Sequence, residues 1–115
     1  MKETILSISK WHEETFPDET LDGQVSKYRE EFKEWADSNC MDVFELADMF
    51  IVACGISRFD IYRGMFYLAD VYDWLRADIP FDTDEFIDAV NEKMKKNRER
   101  VWAKTGEGQY HHVNQ

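Results

Sequence analysis

The chain has 115 residues, 14 of them basic and 24 acidic, which gives a net charge of −10. That charge argues against a non-specific nucleic-acid binder and against adsorption to anionic membranes, but it leaves room for a nucleotide whose charge is carried by metal ions. The length suits one domain around one core, and neither a repeat nor a linker-like stretch divides residues 1–115.

Cys40 and Cys54 lack metal-type spacing, and Cys54 ends an apolar segment, so both read as reduced core thiols. The longest apolar run, Met49 to Cys54, is far short of a bilayer span, and Met1–Trp11 carries no signal-peptide core. A soluble, cytoplasmic protein is the expectation.

With two prolines, five glycines and apolar residues at helical spacing, the fold class is all-α. A first helix is expected over roughly Glu3 to Thr15, with Ile5, Ile8 and Trp11 on one side, ending before Phe16-Pro17. His12 on that side reads as a packing or edge histidine, because no partner lies within helical reach. A second helix starts near Asp18–Thr20, where Asp or Thr can cap it, and runs to about Asp37. Its apolar stripe is Leu21, Val25, Tyr28, Phe32 and Trp35.

A third helix, Asp42 to about Ser57, is apolar nearly all round and is expected to be central. A fourth, Asp60 to about Leu75, carries a heavy aromatic load that a small domain can hardly hide, so a subunit interface is a reasonable use for part of it. Ordinary core packing with a few exposed rings is the alternative. Ile79-Pro80-Phe81 breaks the chain, and Asp82-x-x-Glu85 opens a last helix, roughly Asp84 to Lys104, with a capping-box pattern.

The second and third helices carry the first constellation. Glu31 and Glu34 are three residues apart, as are Glu45 and Asp48, so each pair shares a helix face. A turn at Asp37-Ser38-Asn39 would fold the helices antiparallel, setting Glu34 against Glu45 and Glu31 against Asp48. A cation is the natural partner for four such carboxylates. Simpler readings exist for three of them. Asp42-x-x-Glu45 is itself a capping-box pattern, and Glu30, Glu31 and Glu34 could form a solvated face with Lys27–Glu31 as an i,i+4 pair. Asp48 resists such a reading: it lies between Phe44, Ile51 and Val52 on the helical wheel, where an unpaired carboxylate is costly.

The last helix carries the second constellation. Lys93, Asn97, Arg100 and Lys104 form one polar stripe beside the apolar side of Phe86, Val90, Met94 and Val101. Residues 93–104 hold six of the fourteen basic residues and one acid. Such segregation suggests a cationic row facing the acid cluster or a phosphate chain. For Lys95, Lys96 and Arg98 a solvated face is the default.

At these residues the chain resembles a known family. Glu30-Glu31-x-x-Glu34 followed by Glu45-x-x-Asp48 is similar to the signature of the MazG-like all-α nucleoside triphosphate pyrophosphohydrolases, relatives of the dimeric dUTPases. Trp11-x-x-x-Thr15-Phe16-Pro17, Leu46-Ala47-Asp48-Met49-Phe50-Ile51 and Lys93-Met94-x-x-Asn97-Arg98-x-Arg100-x-Trp102-x-x-Thr105-Gly106-x-Gly108 resemble a small phage- and bacteria-associated branch, the dATP/dGTP pyrophosphohydrolase-like proteins. One departure is that only ten residues separate Glu34 from Glu45, slightly fewer than is usual in the family.

The resemblance implies a helical bundle of four to five helices completed by oligomerisation as a homodimer or homotetramer. It implies conversion of a (d)NTP to the monophosphate and pyrophosphate. Glu31, Glu34, Glu45 and Asp48 would bind Mg²⁺, with Mn²⁺ as a substitute, and Glu30 or a ligand carboxylate such as Glu31 would orient or deprotonate the attacking water. Lys93, Asn97 and Arg100 would hold the phosphates. Tyr110 or a histidine of the tail could close over the base, a disordered end being the alternative. Two rival readings are a non-catalytic acidic interaction protein and a nucleotide-binding relative without turnover. No residue of the sequence singles out one base.

Overall fold

In the computed structural model, residues 2–104 and 110–113 are described, the side chains of Val101, Ala103, Lys104 and the 110–113 segment excepted. Five α-helices, α1 (Ile5–Thr15), α2 (Leu21–Asp37), α3 (Val43–Ser57), α4 (Ile61–Leu75) and α5 (Thr83–Glu99), are followed by a short ribbon of β1 (Val101–Lys104) and β2 (Tyr110–Val113). The all-α architecture and the five expected helices are present.

Every helix starts on a side-chain cap that satisfies N–H groups otherwise left unpaired. Thr4 and Ser7 close a full capping box on α1, with bonds of 3.0 and 2.8 Å. Thr20, Asp42, Asp60 and Asp82 cap the other four. Asp42 does so by accepting from the Phe44 N–H at 2.9 Å.

α3 is the hub, packing against α1, α2, α4 and α5. Its all-round apolar sequence permits this: Leu46, Ala47, Met49 and the whole run Ile51–Ile56 are buried. Trp35 from α2, Ile8 from α1, Val71 from α4 and Met94 from α5 are fully buried around it. Gly64 lets α4 run against the backbone of Ser57, where a Cβ would collide. The opposite face of α4 is uncovered: Ile61, Tyr62, Met65, Phe66 and Tyr72 are all exposed, Tyr62 to 82%. Among the described residues, no helix is long and apolar enough to cross a membrane.

The structure corrects the end of the last helix. α5 stops at Glu99, Arg100 adopts extended backbone (φ −80°, ψ 152°), and 101–104 pair as a strand with 110–113, Val101 opposite Val113 and Lys104 opposite Tyr110. β-branched and aromatic residues favour the extended state, and Trp102 rewards it through tertiary contacts. Its indole N–H donates to the Asn97 carbonyl at 3.1 Å, and its ring packs edge-on against Phe16 at 5.0 Å. Lys104 therefore leaves the helical stripe that periodicity assigned to it. Residues 105–109, which include the Thr105-Gly106-x-Gly108 pattern, lie outside the described residues.

Candidate metal and phosphate site

The turn between α2 and α3 is tight. Asn39 and Cys40 both take left-handed backbone (φ 58°), and the Cys40 N–H returns to the Trp35 carbonyl at 3.1 Å, closing the helix end. Asn tolerates this conformation well and Cys less so. The tight turn accommodates the short spacing between Glu34 and Glu45.

Carboxylate oxygens of Glu31, Glu45 and Asp48 consequently lie within 4.8 Å of one another. Burial, the Asp48 charge and hydrogen bonding to Glu34 push the Glu31 carboxyl up to about 8. Burial and the charges of Asp48 and Glu34 push Glu45 up to about 7. Asp48 is also raised, by burial, against the opposing pull of Lys93, whose Nζ sits 3.1 Å away. The Glu45 carboxyl is not spent on a capping box: its Oε2, like that of Glu31, is buried without a hydrogen-bond partner. Clustered hard oxygens, two of them unsatisfied, suit a hard divalent cation.

A cavity of about 310 Å³ opens beside these acids. Glu31, Glu34 and Asp48 line one part of it, and Lys93, Asn97 and Arg100 line another, so the two constellations of the sequence meet across one space. Asn97 is buried, and its side-chain oxygen accepts from Arg100 Nη1 at 3.3 Å. Glu30 does not line the cavity. It is exposed on α2, 3.7 Å from Lys27. Lys27 also lies 3.5 Å from Glu31, so the i,i+4 pair exists, and its side chain lines the cavity as well. The i,i+4 spacing marks Lys27 only as a partner for its helical neighbour.

Beyond the acids, the cavity continues to a second polar group that periodicity could not reveal. His12, Glu19 and Gln24 are buried there together. His12 packs in the interior and finds its partners outside its own helix: its Nε2 sits 2.9 Å from the Ile51 carbonyl and its Nδ1 3.6 Å from Glu19 Oε1. Gln24 Nε2 donates to Glu19 Oε2 at 2.6 Å, and Arg58 lies 3.8 Å from Glu19 Oε1 while donating to the Phe16 carbonyl. Gly55 makes room for this on α3, since a Cβ there would stand 2.8 Å from both Gln24 Oε1 and the His12 ring. Trp11, Phe16 and Trp102 form an aromatic wall, each ring edge-on to the others at 5.0–6.0 Å.

Over 106 residues, 92% of its length, the chain is 29% identical to the dATP/dGTP diphosphohydrolase of Salmonella phage PMBT28. It spans 29% of that relative's own length. No protein-family model and no solved structure matches the chain.

Proposed function

We propose that the protein is a nucleoside triphosphate pyrophosphohydrolase, converting a (d)NTP and water to the (d)NMP and pyrophosphate. One observation carries the reading: a single cavity is lined by the carboxylates of Glu31, Glu34 and Asp48 and by the side chains of Lys93, Asn97 and Arg100. The name of the phage relative points the same way and makes dATP and dGTP the first substrates to test.

Glu31, Glu34, Glu45 and Asp48 would hold the metal. Bound Mg²⁺, or Mn²⁺ in its place, would neutralise phosphate charge and lower the pKa of a coordinated water. Lys93, Arg100 and Lys27 supply positive charge to the phosphate chain, and Asn97 fixes the Arg100 guanidinium by accepting its hydrogen bond. Glu31 and Glu34, which line the cavity, would orient the attacking water and take its proton, whereas Glu30 is exposed on α2. The uncovered apolar face of α4 supports assembly as a homodimer or homotetramer. A monomer by light scattering at micromolar concentration would remove the assembly reading.

The reaction is tested by pyrophosphate release from the eight common dNTPs and NTPs, with Mg²⁺ and with EDTA. Metal-dependent release from at least one is expected. No release from any of them by folded protein would overturn the proposal.

A further inference from the structure

Lys93 stands between two tasks that exclude each other. Its Nζ lies 3.1 Å from Asp48 Oδ2, within hydrogen-bond distance, and so ties α5 to α3. The same side chain lines the cavity together with Asn97 and Arg100, where its charge is available to a phosphate chain. A lysine ammonium is a point charge on a flexible four-carbon stem, so it can move between these positions but cannot hold both anions closely at once.

Asp48 faces the matching choice. One of its oxygens lies within 4.8 Å of carboxylate oxygens of Glu31 and Glu45, and a divalent cation drawn to that group competes with the lysine for Asp48. The Lys27 contacts are looser: its Nζ is 3.5 Å from Glu31 and 3.7 Å from Glu30, so its charge is shared between two residues of its own helix. Both side chains of the Lys93–Asp48 pair are 22% exposed, and ion pairs with access to solvent open readily. If Asp48 is free only in the molecules whose lysine has swung away, the apparent affinity for a cation is reduced by that fraction.

We propose that Lys93 is a counter-ion gate: it closes on Asp48 and holds back a divalent cation, and it leaves Asp48 when phosphate oxygens take its charge. The assignment rests on reading the cavity as a metal and phosphate site. Cation and phosphate chain then bind cooperatively, and by linkage each helps the other equally, because either one favours the open gate.

Lys93→Met keeps most of the stem and removes the charge. Mn²⁺ binding to the nucleotide-free protein, read from the EPR signal of the free ion, should be about tenfold tighter in Lys93→Met than in the parent. Arg100→Met removes a cavity charge held by Asn97, and it should change Mn²⁺ binding by about threefold or less, as a screened, more distant charge does. The reverse arm is calorimetric binding of inorganic pyrophosphate in EDTA, and it keeps the gate testable even where Lys93→Met does not fold. Asp48→Asn releases the lysine and should bind pyrophosphate about threefold or more tighter than the parent, whereas Lys93→Met should bind it more weakly. Unchanged or weaker Mn²⁺ binding in Lys93→Met, an equal gain in Arg100→Met, or no gain of pyrophosphate binding in Asp48→Asn would overturn the gate. The two proposals fail separately: the Mn²⁺ gain without pyrophosphate release from any triphosphate would sink the proposed reaction alone, and release without the gain would sink the gate alone. No Mn²⁺ bound by the parent or by either variant would remove the metal site and the gate together.

Discussion

Two carboxylate regions lie in or beside the cavity, and they are built in opposite ways. Glu19 sits among an amide donor, a histidine and an arginine that come from α1, α2 and the end of α3. Glu31, Glu45 and Asp48 sit chiefly among one another, with Lys93 and Lys27 as the nearby cations. Burial alone therefore does not mark a metal site. What separates the two regions is whether the protein supplies the compensating charge itself. The acid cluster has a deficit that an added cation would fill, whereas the Glu19 region has charge partners of its own.

Asp48→Asn should break this contrast most severely. It removes one of the three grouped carboxylates and the partner of Lys93, so Mg²⁺-dependent pyrophosphate release should fall by more than about a hundredfold. The circular dichroism of the variant should stay helical, since Asp48 closes no cap. Unchanged turnover in both Asp48→Asn and Glu34→Gln would remove the metal assignment.

At the other region, Gly55→Ala should cost about 1–3 kcal/mol in urea unfolding, because the added methyl meets Gln24 and His12 at 2.8 Å in a packed core. A variant as stable as the parent would mean that the polar group relaxes freely.

The metal-free protein should show the acid deficit as a pH dependence. Glu31 and Glu45 titrate higher in the folded chain, at about 8 and about 7, than the ordinary 4.5, so the folded state binds more protons between those values. Their contribution is fully present below about pH 4.5 and is lost as the pH rises to about 8. In EDTA the Tm should therefore fall between about pH 5 and pH 8. Glu31→Gln should flatten that fall, and Mg²⁺ should offset it. A Tm indifferent to both would contradict the crowding of these acids.

The smallest effect belongs to a contact remote from both regions. Arg98 grips Glu3 with bonds of 2.8 and 2.9 Å, tying the segment before α1 to α5. Arg98→Ala should cost no more than about 1 kcal/mol and leave turnover unchanged, because that side of α5 faces solvent.

The acid cluster was legible in the sequence because its spacing is local: three residues within each helix and one short turn between them put Glu31, Glu34, Glu45 and Asp48 in register. The stripe of Lys93, Asn97 and Arg100 was legible for the same reason, up to the point where periodicity overran the helix. The sequence alone determined the five helices, the caps of α2, α3 and α5, the central place of α3 and the two charged rows, all consequences of helical period and capping chemistry. Tertiary structure decided that the two rows face one cavity, that Glu30 stands outside it and Lys27 within it, and that the chain leaves helix at Arg100 so that Trp102 can join Trp11 and Phe16. It also decided the company of His12, whose carbonyl partner lies 39 residues away on α3. Such contacts depend on how helices pack, and no single-helix pattern carries that information.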